Sequence, residues 1–578
     1  MRVCQNCKEN FVIESDDFDF YKKMQVPPPT WCPHCRFIRQ TTFINERSLY
    51  KRVCENCNTS IISMYHSDTP IKVWCGKCHI SDSWDARDYG RDYDFSKPFF
   101  EQFKELKNNT PHRGLSQNEL NGAGCEYANY CFRAKDVYLS FNTVDSENIK
   151  YSRCFFKHNK NCLDCLIIAE NDRGYEMVHA ISNYNSSFLI ESDQCIDSHF
   201  LYDCFNCVSC CLSSNIRNKS YVFRNKQLSK EEYVDAVARS GLGTYSGQIR
   251  GKEEFKKIFK EAIHKHAHIK NSVNAVGDFI ENSKNAYYSY GLVDAENVKH
   301  IFFGVGRMTD SQDIVFMGKT EECYESNHGG RGVNKLLFTI SCGAASKDLL
   351  YCFNCRACFY CFGSVGLYKK EYCIFNKQYS KEEYFELIEK IKKHMTEMPY
   401  VDKVGREYPF GEFLPSEISP FTYNETIAFE EHPLSQEEVL SQGYKWKDME
   451  TKSYASTIKS DALPDSISDV NDDICSEVIE CPNLGDTKTQ CTSAYKILPD
   501  ELQFYRQMNL PLPRYCPNCR YHARLVWKNP FRFYKRECMC ELTTHDHGDK
   551  CANQFETMYS PERPEKIYCK ECYQKEVY

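Results

Sequence analysis

The 578-residue chain contains no run approaching 18 uncharged apolar residues, so no segment reads as a membrane-spanning helix. Its opening, MRVCQNCKENF, holds no apolar signal core, and a cytoplasmic protein is the expectation. The Gly-rich GLGTYSG segment is not followed by the GKS or GKT that closes a phosphate loop, and the chain has no GxSxG elbow and no GxGxxG followed by an acidic partner. No isolated cysteine stands out as a nucleophile. A formal charge of −7 argues against a uniformly basic nucleic-acid coat, though not against a local basic patch. What the chain does have is cysteine, 35 of them, with 39 Tyr and 37 Phe. Without an export signal these thiols are expected to be metal ligands, small core residues or simply reduced, before they are disulfides.

The cysteines are organised at the two ends. Cys4-x2-Cys7 and Cys32-x2-Cys35 are separated by 24 residues, and Cys54-x2-Cys57 and Cys75-x2-Cys78 by 17. Two such knuckles supply four thiolates to one structural Zn²⁺. A shift of 484 positions lays the first segment on the last: Phe20, Tyr21 and Met24 fall on Phe504, Tyr505 and Met508, Cys32 to Arg36 on Cys516 to Arg520, and Cys54 on Cys538. The expected partner of Cys4 is Lys488, so the third site draws on Cys481 with Cys491, Cys516 and Cys519. The fourth draws on Cys538, Cys540, Cys551, Cys569 and Cys572, with His545 and His547 nearby, and its four ligands stay open. About four structural zinc sites are expected.

The spacing CxxC-x3-F, the Phe-Tyr-Lys-Lys stretch, the Pro-rich turn and the CPxCR knuckle resemble zinc-ribbon domains of small bacterial proteins, which are treble-clef-like. That resemblance covers residues 1–40 and 481–525; it implies zinc and no activity.

The middle repeats in a different way. Residues 137–233 and 286–384 are copies, with Val144 to Lys150 aligned on Val293 to Lys299 and Cys204-Phe-Asn-Cys207 on Cys352-Phe-Asn-Cys355. Within each copy a polar residue precedes a small apolar group every 8–16 positions, which suits stacked rungs of a β-solenoid, with a two-sheet sandwich as the competing fold. Cys162 and Cys323 share their slot with Ile149, Val298, Ile314 and Leu336, so a thiol there reads as a buried spacer. The run Cys352, Cys355, Cys358 and Cys361 is the best case for an iron–sulfur or extra zinc site, although its counterpart Cys204, Cys207, Cys210 and Cys211 loses the spacing.

The expected fold is mainly β with short helices, with paired zinc ribbons at both ends flanking a duplicated β-solenoid. The expected order is tandem ribbons (1–92), helical connector (93–136), first copy (137–228), helical hairpin (229–270), second copy (271–379), helix (380–397), extended strap (398–474) and a second tandem ribbon (475–578). The hairpin is read as helices over Ser229–Ser240 and Lys252–Lys265, separated by GLGTYSG. The layout, with Cys361 to Tyr384, Phe410 to Thr426 and Gly443 to Asp448, resembles Cys-rich zinc-ribbon and repeat proteins of candidate-phyla bacteria. No activity comes with that likeness.

Two further constellations carry chemistry. Glu176 and His179 recur in register as Glu325 and His328, an acid–base or metal pair on a repeat face, or simply repeated turn residues. Arg514, Arg520, Arg524, Lys528, Arg532, Lys535 and Arg536 interleave with Tyr515, Tyr521, Trp527, Phe531, Phe533 and Tyr534, a composition that fits unpaired nucleic acid. The plainer reading is a solvated helix face with the aromatics packed inward. Together these observations predict a zinc-binding, non-enzymatic scaffold or binding protein. A binder of RNA or single-stranded nucleic acid is the alternative, and a polymer-acting enzyme the third. The partner is an unidentified protein or nucleic acid, not a membrane.

Overall fold

The computed structural model describes residues 1–117, 121–154, 158–448, 455–545 and 547–578; parts of the expected connector (118–120), first copy (155–157) and strap (449–454) lie outside them. The described chain is mainly strand, with 12 short helices, the longest of 17 residues. None is long and apolar enough to cross a membrane.

Two stacks of parallel strands form the centre. In the first, Val137 pairs with Ile149, Cys162 with Gly174, Gly174 with Ser186, and Leu189 with Leu201. In the second, Ile314 pairs with Ser326, Leu349 with Cys361, and Cys361 with Cys373. Each partner lies 12 positions further on. The stack begins earlier than the expected copy, because Asn129–Phe132 already pairs with Phe141–Val144.

Within each 12-residue step, which falls in the 8–16 range read from the sequence, the backbone keeps a finer beat of three residues. The backbone enters the left-handed region at Asp197, Phe200, Asp203, Asn206, Ser209 and Leu212, and at Tyr351, Asn354, Ala357 and Tyr360. The residue after each bend in the first series points inward: Ser198, Leu201, Cys204, Cys207, Cys210 and Ser213 are all buried. Left-handed backbone costs an L-residue roughly 1–2 kcal/mol, least for Asn and Asp. Ladders of those residues supply compensation, with Asn206 donating to Asn218 at 2.8 Å, Asn185 to Asp197 at 2.6 Å, and Asn285 to Asn297 at 2.9 Å. Inward hydroxyls serve the backbone of the next step: Ser186 Oγ accepts from Ser198 N–H and Ser198 Oγ from Cys210 N–H, both at 3.1 Å.

The interior of each stack takes Ala, Val, Leu, Ile, Met and Cys, and this is where the central cysteines go. Cys352, Cys355, Cys358 and Cys361 are consecutive inward positions, each fully buried. Burial pushes the Cys323 thiol up to about 12 and Cys154 well above its ordinary value, so these groups stay neutral. The slot shared by Cys and aliphatic residues is visible in the register, where Ile149 pairs with Cys162 and Leu349 with Cys361.

Each stack closes with a small antiparallel hairpin, Val222–Phe223 with Lys226–Gln227 and Glu371–Ile374 with Lys377–Gln378. A helix follows with a capping box, Ser229 with Glu232 and Ser380 with Glu383. The second helix of the hairpin spans Tyr245–Glu261, earlier than the expected Lys252–Lys265. Thr244 starts it, its Oγ1 accepting from Gly247 N–H at 3.1 Å, so the Gly-rich stretch is its first turn. Ile263–Lys265 is instead a strand paired with Lys566–Tyr568.

The strap is more than a linker. Its short helices Ile427–Glu431 and Gln436–Ser441 and the buried Phe413, Leu414, Ile418 and Tyr423 pack between the Cys-rich terminal segments and the stacks. Glu412 reaches Arg39 at 2.8 Å, Glu430 reaches Arg153 at 2.6 Å, and Glu431 pairs with Lys528.

Candidate metal centres and the groove between the stacks

Among the described residues, all 35 cysteines are free of disulfides. Five groups bring ligand atoms within 4.8 Å of one another, and all five lie in the terminal segments. They are Cys4, Cys7, Cys32 and Cys35; Cys54, Cys57, Cys75 and Cys78; Cys481, Cys491, Cys516 and Cys519; Cys538, Cys551, Cys569 and Cys572; and Cys540, His545, His547 and Cys572. The runs in the stacks are not among them.

The sulfur spacing is that of a tetrahedral thiolate site. At a zinc–sulfur distance of about 2.3 Å the edge of the tetrahedron is about 3.8 Å. Cys7 and Cys32 are 3.8 Å apart, Cys57 and Cys75 3.9 Å, Cys491 and Cys516 3.8 Å, Cys481 and Cys519 3.8 Å, and Cys551 and Cys569 3.9 Å.

The four thiolate groups are built alike. In each, the first sulfur accepts the backbone N–H of the third cysteine: Cys4 from Cys32, Cys54 from Cys75 and Cys538 from Cys569 at 3.2 Å, and Cys481 from Cys516 at 3.3 Å. The third cysteine is then the N-cap of a helix, Pro33–Thr41, Gly76–His79, Pro517–Leu525 or Lys570–Val577. A thiolate accepting these N–H groups is favoured in its charged form. Cys481 stands where Cys4 does, and Cys551 takes the place of Cys57. Cys540 belongs to the separate group with the two histidines, which spacing alone had left unassigned.

The helices that start at the knuckles reach into the stacks. Arg36 pairs with Asp313 at 2.8 Å and Arg39 with Glu325 at 2.8 Å, all buried. At the other end Arg524 pairs with Asp164 at 2.8 Å and Arg520 with the same carboxylate at 3.1 Å. Lys299 holds Asp17 at 2.9 Å, and its counterpart Lys150 holds Asp500 at 2.5 Å. The N-terminal knuckle helix Pro33–Thr41 thus reaches the second stack and its C-terminal counterpart Pro517–Leu525 the first.

The basic segment therefore presents no continuous cationic face. Arg514, Arg520, Arg524 and Lys528 are buried, Arg514 bonding the carbonyls of Ser460 and Pro464, and Lys528 the Glu431 carboxylate. Arg532 and Lys535 remain exposed, and Arg536 is half-buried against the Ser560 carbonyl at 3.0 Å. Neither a nucleic-acid surface nor a solvated helix face describes the buried four; they are internal struts.

The recurrent Glu and His residues also part company. Glu176 pairs with Lys252 at 3.0 Å, and Glu325 with Arg39. His179 instead stacks on Phe279 with ring centroids 4.0 Å apart and bonds Tyr290 Oη through Nε2 at 2.6 Å, while His328 stacks on Tyr130 at 4.0 Å. Each histidine of one stack thereby meets an aromatic ring of the other. Burial lowers both imidazoles to about 3, leaving them neutral.

These stacked pairs border a groove of about 1530 Å³ between the two stacks, lined also by Tyr130, Glu191, His268, Arg331 and Arg356. His268 bonds Asp278 at 3.0 Å and faces Glu191 at 3.6 Å. Burial opposes charge on that ring, but the two carboxylates outweigh it and raise His268 to about 9.

No family model matches the chain, and no curated protein does. Among solved structures it is similar to one titled "putative acetyltransferase from Desulfovibrio desulfuricans G20", at 10% identity over 48% of this chain and 82% of that one, with a TM-score of 0.09. A likeness that weak says nothing of this chain's fold or chemistry.

Proposed function

We propose that the protein is a zinc-dependent, non-enzymatic scaffold. In this reading two β-solenoids, one a copy of the other, are held side by side by tandem zinc ribbons of treble-clef type at either end. The domain order expected from the sequence applies, with the first solenoid starting near Asn129. The observation that carries the reading is the sulfur spacing near 3.8 Å in the thiolate groups, together with the shared N–H to sulfur bond. Four thiolates in a tetrahedral array favour zinc among the common divalent ions. We place the protein in a reducing compartment, where such sites persist.

The parallel 12-residue register and the bend at every third residue support solenoids over a sandwich, whose sheets pair antiparallel. The ions act mechanically. A structural zinc contributes roughly 10–16 kcal/mol of apparent binding free energy, enough to fix a small ribbon. The fixed ribbon then aims its arginines into the stack it grips. What the clamps hold in place is the groove, and we assign partner binding to it: its mixed aromatic and charged lining suits a macromolecular segment.

Elemental analysis of protein purified without added metal tests the reading. Four or more zinc atoms per chain and no iron are expected. Iron, or less than one zinc per chain, would overturn it.

A further inference from the structure

The fourth ribbon differs from the second by an insertion with its own chemistry. Two residues separate Cys54 from Cys57, but twelve separate Cys538 from Cys551, and the ten extra positions carry Cys540, His545 and His547. The first thiolate group is complete without them. Yet these three side chains converge on a single further atom, Cys572 Sγ, already a member of that group.

The local bonding is that of a ligand set. Cys540 Sγ and His545 Nδ1 are 3.2 Å apart, so His545 turns Nδ1 toward the sulfurs. Its other nitrogen, Nε2, lies 3.0 Å from Glu576 Oε1. A carboxylate on the far nitrogen is the usual way a metal-bound imidazole is oriented. Cys572 and Glu576 are four positions apart on the helix Lys570–Val577, so one helix face supplies both the shared sulfur and the orienting carboxylate.

A thiol–imidazole hydrogen bond alone would satisfy Cys540 and His545. It leaves His547 unexplained: both of its ring nitrogens are buried and have no hydrogen-bond partner. A buried polar atom without a partner costs about 1–3 kcal/mol, and His547 would bear that twice unless something binds there.

We propose that Cys540, His545, His547 and Cys572 bind a second divalent cation, and that Cys572 bridges it to the ion of Cys538, Cys551 and Cys569. The inference rests on the zinc reading of the neighbouring thiolate group. Two sulfurs and two imidazoles suit a tetrahedral zinc-like ion. Charge favours double occupancy: five thiolates around one dication leave three negative charges in a largely buried site, and a second dication leaves one. The centre is closed, with no ligand position left for water, so its role is structural.

Cadmium replacement on the full chain tests the proposal. Protein loaded with ¹¹³Cd should hold five equivalents, and two of its five resonances should be split by coupling through the shared sulfur. The variant His545→Gln with His547→Gln should hold four equivalents, lose the splitting and keep the other sites. Four equivalents in the unaltered protein, or five retained in the variant, would overturn the second site. Five equivalents with no splitting would overturn the bridge. Binding of none at all would instead refute the zinc reading itself.

Discussion

Arg36 and Asp313 lie 277 positions apart in sequence and meet in the interior, Arg36 Nη2 donating to both carboxylate oxygens at 3.1 and 2.8 Å. Arg520 and Asp164 occupy the equivalent places under the two internal repeats and form the same kind of pair. Removing one partner of a buried pair strands the other charge, at a cost of about 3–5 kcal/mol. Arg36→Ala should therefore lower the urea midpoint sharply, while Arg36→Met combined with Asp313→Asn should recover much of the loss. Equal midpoints for the two variants would refute the strut role.

The same reasoning applies to the cationic segment near the C-terminus. Arg520→Glu with Arg524→Glu places two more acids beside Asp164 and should prevent the C-terminal Cys-rich segment from docking, seen as rapid proteolysis of that region. Arg532→Glu with Lys535→Glu changes exposed side chains and should leave stability within about 0.5 kcal/mol. Loss of docking in the second variant but not the first would invert this assignment.

On the proposed reading, zinc content should separate the two classes of cysteine. Cys32→Ser should lower it by one equivalent. Cys358→Ala, within the second stack, should leave it unchanged and cost about 1–2 kcal/mol for the small cavity. A lower zinc count in Cys358→Ala would place metal in the stacks.

The groove should be sensitive to pH through His268. Its folded value is raised, so the stability it contributes is complete below about 6.5 and is lost as pH rises through about 9. Melting temperature should therefore fall across that window, and His268→Gln should flatten this part of the profile. An unchanged slope in the variant would remove the charge pair with Asp278 and Glu191 from the account.

The cysteine groups were legible because knuckle geometry is local: Cys4, Cys7, Cys32 and Cys35 meet within one short segment. The duplication was legible too, from aligned residues such as Asn148 and Asn297. The three-residue beat escaped because bends fall on residues as unlike as Phe200, Asn206 and Leu212, and the inward slots take Ser, Leu and Cys alike. Composition made Arg514 to Arg536 look like a surface because the acids that meet the segment, Asp164 at Arg524, Glu430 at Tyr521 and Glu431 at Lys528, lie 91 to 360 positions away. The sharing of Cys572 is likewise a fact of three dimensions that no spacing rule contains.

The crossed seating of the two knuckle helices sets a timetable for synthesis. Arg36 leaves the ribosome 277 residues before Asp313, a wait of roughly 14–55 s at 5–20 residues per second. Its own knuckles, 24 residues apart, are complete almost at once. If the first group binds metal as proposed, nascent chains would capture that ion long before the surface that receives Arg36 exists, and a cell short of metal would leave the early clamp unformed while its target is still being translated.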